Sequence, residues 1–470
     1  MSQSMCSEEM KSWIADHQAE MVKDIIDVVN IRSVAEYGEG GYPFGTGCKK
    51  ALDHLLKLAE GYGFETCNYE DYMGSATLKG TEGKKTIGIF AHADVVPEGT
   101  GWEYEPYNAV EKDGYLIGRG VSDNKGPAIM SLYALRFLKE TGVKLKDNIT
   151  LYFGCCEEKG MDDIKYWREH YPMPDFSLVP DVNFPVCYGE KGILELMAVS
   201  DVAGSELADF CGGEVSNTIP GEAYAVVRCE DQDKAIAILA DCEGISAEKR
   251  DNCLVITGRG MSKHAAFPED SVNANGVVAR ALLKADLVSG AAKNAVSFIA
   301  RVCEDYYGAS IDVPYEDKES GRMTHTCSVV RVENGKMLTK FNLRYPVTTD
   351  QEKMIEALKQ FFAGWNFELE DIENNGPAYQ PVDNPVVRAL CDISNEVLGA
   401  DLKPYTMGGG TYSRKLKNAI GFGPGIPDEK PIFPAGRGGG HQPDEFIRVG
   451  RLIDGLQIYI RALRTLDELI

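Results

Sequence analysis

The feature that most constrains this chain is an alternation. Short apolar, β-rich runs at residues 75–79, 86–91, 149–154 and 176–180 are interleaved with a helical stretch at 128–141. Strands separated by helices build an α/β sheet with a large parallel component, because a parallel neighbour can be reached only through a crossover. Upstream, a helix opens near Glu8 and Glu9 and carries Met10, Trp13, Ile14, Met21, Ile25 and Val28 on one dry face. A second helix over 49–60 buries Leu52, Leu55, Leu56 and Ala59 and stops at Gly61. From about Ile193 to about Gly376 the texture changes. Acidic helical stretches at 231–241 and 351–364 alternate with β-like runs at 223–229 and 337–344. After it, Asp383 with Pro385 opens a helix over 386–398, a strand follows at 419–423, and a last helix covers 448–469. The expected organisation is a discontinuous domain of residues 1–192 and 377–470, its mostly parallel sheet covered by helices on both faces. An inserted α+β domain occupies 193–376.

At 470 residues the chain is long enough for two to four such units at roughly 150 residues each. Its 72 acidic against 49 basic residues give a net charge of −23, which repels phosphate backbones and anionic lipid surfaces alike. Nucleic-acid and membrane partners are therefore not expected. No apolar stretch approaches the roughly 20 residues of a membrane span, and the first residues have no leader pattern. The 13 cysteines are odd in number and lack a CxxC pair, so they read as free thiols. The cytoplasm is the expected compartment.

The chemistry-bearing residues follow the β-runs. His92 comes directly after the run at 86–91, Glu157 and Glu158 just after 149–154, and Asp181 directly after 176–180. Open α/β sheets gather their sites at the carboxyl ends of strands, so residues 65 and 89 positions from His92 can meet it there. Between them the turn GRGVSDNKGP, residues 118–127, holds Asp123 and lacks the spacing of a phosphate loop. His441 lies in the glycine-rich stretch GGGHQPDE, residues 438–445. Each alone reads as a structural residue: a strand-end histidine, a turn, a loop. Together they offer two imidazoles, three carboxylate ligands and a further carboxylate to handle protons. That inventory suits two divalent ions, each with one histidine, one carboxylate of its own and one shared carboxylate. Mixed N/O donors without thiolate favour Zn²⁺, with Mn²⁺ or Co²⁺ compatible.

The set HADVVP (92–97), GRGVSDNKGP, EEKG (157–160), VPDVNFPVCYGEKG (179–192), GGGTYSR (408–414) and GGGHQPDE resembles the M20 metallopeptidase family, in its branch of PepV-like and carnosinase-like dipeptidases. The resemblance implies that His92, Asp123 and Asp181 hold one metal and that Asp123, Glu158 and His441 hold the other. It implies further that Asp94 supports the site and that Glu157 is the general base. Two departures stand out. Cys155 and Cys156 precede the glutamates where Thr-Asp or Thr-Asn is common, with Lys159 after them, and Tyr107 replaces a usual Phe.

In the inserted domain, GMSKHAAFP (260–268) resembles the family's lid motif, whose histidine, here His264, steadies the oxyanion. Asn217 and Arg344 match substrate-binding positions. Backbone groups at Gly409, Gly410 and Thr411 would assist Arg344 in clamping a C-terminal carboxylate. The implied protein is a dinuclear metallo-dipeptidase acting on short peptides with a free N-terminus and C-terminal carboxylate. It is expected to be a monomer with a doubled lid, a dimer being the other arrangement. The rival readings are an N-acyl amino acid amidohydrolase of aminoacylase or desuccinylase type, and a non-catalytic peptide-binding protein.

Overall fold

A computed structural model describes residues 3–427 and 430–470. The chain divides into two compact units. The first comprises Met1–Gly189, Ala378–Tyr405 and Gly410–Ile470; the second comprises Glu190–Pro377 and Thr406–Gly409.

The first unit is built on a sheet with a parallel centre. In spatial order its strands are Glu65–Tyr69, Met73–Leu78, Asn148–Gly154, Thr86–His92, Phe176–Val179, Ala419–Gly421, Cys187–Glu190 and Ala378–Tyr379. The four from Asn148–Gly154 to Ala419–Gly421 run parallel, and antiparallel strands flank them. Alternation along the central strands sends side chains to two different cores. Ile87, Ile89, Ala91, Leu151 and Phe153 join the large core, to which the helices Gln3–Val29, Gly45–Gly61, Lys125–Glu140, Pro385–Leu398 and Val449–Leu469 contribute. Phe90 and Tyr152 point the other way, into a small aromatic core with Trp167 of the helix Asp162–His170 and with Tyr412. The α/β class with helices on both faces is thus the architecture observed. One local expectation is corrected: the helix Pro385–Leu398 is capped by Asn384, not Asp383. The Asn384 side chain accepts the Val386 N–H at 2.9 Å, the bond an N-cap supplies, and Pro385 fills the first position, where no N–H is needed.

The second unit is an antiparallel sheet in the order Ile245–Arg250, Cys253–Arg259, Glu222–Arg228, Leu207–Gly212, Thr324–Glu333, Lys336–Tyr345, Gly192–Asp201 and Glu368–Asn375. Its middle seam is narrow, with Cys211 opposite Arg331 and Gly212 opposite Val330. Buried and half-buried residues alternate over 192–198, the pattern of a sheet with one face packed on helices, and Val199 and Ser200 after them are both buried. That core takes in the helices Ala274–Lys284, Gly290–Val302 and Gln351–Gly364.

Candidate active site

Five chain segments deliver the acidic and imidazole residues of the first unit to one place. His92 ends the strand Thr86–His92 and is buried, its Nε2 3.1 Å from Asp123 Oδ1 and 3.7 Å from Asp181 Oδ2. The other ring nitrogen, Nδ1, lies 3.0 Å from the Asp94 main-chain oxygen. A carbonyl only accepts, so Nδ1 carries a proton, and Nε2 is the ring nitrogen that faces the carboxylates. On the far side of Asp123, His441 Nε2 stands 3.2 Å from Asp123 Oδ2 and 3.0 Å from Glu158 Oε2. The donor atoms of His92, Asp123 and Asp181 lie within 4.8 Å of one another, as do those of Asp123, Glu158 and His441. Asp123 belongs to both groups, one oxygen turned to each.

Electrostatics follow from crowding. Burial and neighbouring carboxylates push Glu157 well above its ordinary range, against the pull of His92, and burial with Asp123 raises Glu158. Hydrogen bonds to Asp123 and Glu158 lift His441 to about 11. Burial opposes charge on His92, but its bonds to Asp123 and Asp94 outweigh that and raise it. Asp123, despite burial, is held well below the usual carboxylate range by the two imidazoles. The cluster is therefore short of positive charge, which is the electrostatic condition for binding cations. Its donor chemistry, hard carboxylates with two neutral-capable imidazoles, fits Zn²⁺, Mn²⁺ or Co²⁺. The nearby Cys155 and Cys156 thiols are buried and pushed up, Cys156 to about 12, so they stay protonated and take no part as thiolates.

The supporting hydrogen bonds come largely from residues to which the sequence pattern assigns no role. Four consecutive amides are held by two buried carboxylates. Asp163 Oδ2 accepts the N–H groups of Cys155 and Cys156 at 2.7 and 2.8 Å, while Asp94 accepts those of Glu157 and Glu158 at 3.1 and 3.0 Å. The Tyr412 hydroxyl donates to the same Asp163 oxygen. Gly154 is required here, because a Cβ would collide with that hydroxyl. Asn124, fully buried, accepts the His92 N–H at 3.3 Å and donates to Pro180 O at 2.6 Å and Asp181 Oδ1 at 3.0 Å. Asn124 and Tyr412 lie inside the motifs GRGVSDNKGP and GGGTYSR, which is the signal that marks them; Asp163 lies in none. Thr411 caps the turn that follows it, accepting the Ser413 N–H at 3.1 Å, and Gly410 lies where a Cβ would run into the Arg414 guanidinium.

Within the second unit, His264 and Asn217 sit on a small two-stranded ribbon. Thr218 pairs with His264, and the Asn217 main-chain oxygen accepts the Ala265 N–H at 2.8 Å. The His264 side chain is exposed, with Nδ1 accepting the Ala266 N–H at 3.1 Å. Arg344 is buried. Its Nε donates to Asn342 Oδ1 at 2.8 Å and one terminal nitrogen to the Gly408 carbonyl at 3.2 Å, next to Gly409. Asn342 in turn donates to Glu195 Oε1, which also accepts from Ser216 Oγ. That chain of bonds links Arg344 to the neighbour of Asn217.

The same arrangement of elements occurs in proteins already known. Residues 88–465 match the model of Peptidase family M20/M25/M40. The Beta-Ala-Xaa dipeptidase of Lactobacillus delbrueckii subsp. lactis is 31% identical over 465 residues, covering 95% of this chain and 96% of its own. Human carnosine dipeptidase 1 shares the fold at a TM-score of 0.58 and 16% identity, with 98% of each chain covered. An M20 family metallo-carboxypeptidase from Sulfolobus solfataricus does so at 0.57 and 18% identity, covering 96% of this chain and all of its own. With the match spanning both units and every segment that carries the cluster, this chain belongs to Peptidase family M20/M25/M40 and is a peptide hydrolase.

Proposed function

We propose that the chain is a dinuclear metal-dependent dipeptidase. The observation that carries this reading is the sharing of Asp123 between two groups of three donor residues, with Glu157 held beside them by the Asp94 clamp. His92, Asp123 and Asp181 would hold one divalent ion and Asp123, Glu158 and His441 the other. Ions in such a site acidify a water molecule and polarise a scissile carbonyl. Glu157 takes the proton of the attacking water and returns it to the leaving amine. A carboxylate whose pKa is raised by burial and by its acidic neighbours is suited to both transfers. Asp94 fixes the His92 ring and the Glu157–Glu158 backbone at once.

The second unit is proposed as the lid, and its eight-stranded sheet is compatible with the doubled lid. His264 is its hydrogen-bond donor to the oxyanion, a contribution typically worth about 2.7–4 kcal/mol. Arg344, already oriented by Asn342 and Gly408, is the clamp for a substrate carboxylate, aided by Asn217 and by backbone groups at Gly409, Gly410 and Thr411. The name of the Lactobacillus relative supports a dipeptide as substrate. Cys187 apart, the eleven cysteines with described side chains are free thiols, which supports the cytoplasm as the compartment. Among the described residues, no helix is long and apolar enough to cross a membrane.

The test is a metal-supplemented assay of a free-amine dipeptide panel against N-acyl amino acids and tripeptides, with metal content measured in parallel. Hydrolysis of dipeptides with two equivalents of divalent ion is the expected result. Preference for N-acyl amino acids would make the protein an amidohydrolase of the aminoacylase type, and absence of turnover with metal bound would make it a peptide-binding protein.

A further inference from the structure

We infer that Glu445 is a positioning residue that locks the Asp123 turn to the His441 loop, and so sets the geometry in which Asp123 can serve both groups of donors. The inference rests on reading Asp123, Glu158 and His441 as metal ligands.

Glu445 lies four residues after His441 and has no solvent exposure. One carboxylate oxygen, Oε1, accepts three main-chain N–H groups of the other segment, from Gly120 at 3.1 Å, Ser122 at 2.9 Å and Asp123 itself at 3.0 Å. The second oxygen accepts from the Arg119 guanidinium at 2.8 Å, and the Glu445 main-chain oxygen accepts the Gly118 N–H at 2.9 Å. Arg119 is itself buried, its guanidinium 5.0 Å from the Trp102 ring. The whole turn from Gly118 to Asp123 is therefore wrapped round one residue. Charge-assisted bonds of this kind are stronger than neutral ones, and burial shields them from competing water.

The other end of the link is equally tied. Gly438 N–H reaches the Pro443 carbonyl at 2.9 Å and Phe446 N–H the Gly438 carbonyl at 3.0 Å, which closes the loop whose tip is His441. Asp444 fastens the same loop, accepting from Arg437 Nε at 2.9 Å and from the Glu103 and Tyr104 amides at 2.9 Å each. His441 thus sits on a closed loop, Asp123 on a wrapped turn, and Glu445 is the side chain that joins them. Asp123 must face His92 at 3.1 Å and His441 at 3.2 Å with different oxygens, so a shift of the turn by a fraction of an ångström disturbs both. Glu445 touches neither the metal ligands' donor atoms nor the reacting groups; it acts through the Asp123 amide.

The test compares full-length wild type, Glu445→Gln, Glu445→Asp, His441→Ala and the Glu445→Gln/His441→Ala double variant, each stripped of metal and titrated with Zn²⁺ against a chromophoric chelator. Glutamine keeps the shape, but its amide nitrogen must face either three N–H donors or the Arg119 guanidinium. The expected result is a loss of at least tenfold in affinity for the weaker-bound ion in Glu445→Gln, with the circular dichroism of wild type. In the His441→Ala background Glu445→Gln should add little to the loss at the group of Asp123, Glu158 and His441, which is already broken, while still weakening the ion held by His92, Asp123 and Asp181. A residue with only a structural role would lower the Tm and leave the affinities alone, or would act additively. Either result overturns the inference, as does wild-type affinity for both ions in a folded Glu445 variant. If Glu445→Gln does not fold, Glu445→Asp, which keeps the charge with a shorter reach, carries the same expectation. A wild-type chain that binds no ion would instead overturn the metal-site reading on which the inference rests.

Discussion

Asp123 turns one carboxylate oxygen to within 3.1 Å of His92 Nε2, while its other oxygen faces the opposite way, toward His441. One side chain therefore belongs to two groups of donors. Asp123→Ala is expected to lose both metal ions and all activity, whereas His92→Ala should weaken chiefly one ion. Elemental analysis after dialysis distinguishes these outcomes, and two full equivalents in Asp123→Ala would sink the shared role.

Glu157 and Glu158 are neighbours in sequence, and Asp94 holds the amides of both. Their side chains part company: Glu158 meets His441 at 3.0 Å, and Glu157 is the proposed base. Glu157→Gln should retain metal while kcat falls by at least a hundredfold. Glu158→Gln should lose metal first. A Glu157→Gln enzyme with more than a few per cent of wild-type kcat would remove Glu157 from the mechanism.

The proposed lid supplies His264 from the same chain. Mixing inactive His264→Ala with inactive Glu157→Gln protein should then restore nothing, since neither chain can complete the other. Activity in the mixture above the sum of its parts, read alongside the mass in solution, would mean that the histidine acts across a dimer.

Asp163 offers a pH test away from the donor groups. Burial, with Asp94 nearby, raises its carboxyl to about 6 from an ordinary value of 3.8. The folded state binds this proton more tightly than the unfolded chain. Its stabilising contribution is thus complete below about pH 4 and is lost as pH rises through about 6, on the order of 3 kcal/mol in all. Urea unfolding from pH 4 to 7 should show wild type losing stability relative to Asp163→Asn across that window. Parallel pH curves for the two proteins would refute the assignment.

Removing the Tyr412 hydroxyl takes away one of the donors that satisfy the same carboxylate. Tyr412→Phe should cost about 1–3 kcal/mol, the usual penalty for leaving a buried acceptor short of a partner. It should also loosen the segment 155–158 that Asp163 holds. Thermal unfolding checks the first effect, and hydrogen exchange at the Cys155 and Cys156 amides checks the second.

The sequence by itself determined the alternating strands and helices, the change of texture near Ile193, and the placing of His92 and Asp181 immediately after apolar runs. These are legible because hydrophobic periodicity is a local property, and because a strand's carboxyl end is where an α/β sheet puts polar side chains. The motifs also brought Asp123, Glu158 and His441 into view as candidate ligands. Only the tertiary structure decided which groups hold them in place. Asp163 beneath Cys155 and Cys156, Asn124 between His92 and Asp181, and Glu445 inside the Asp123 turn all act by accepting or donating to main-chain groups. A main-chain amide has no sequence identity, so a carboxylate that binds one leaves no pattern in the residues it serves. Contacts across 322 positions, as between Glu445 and Asp123, come into being when the sheet brings the two loops together.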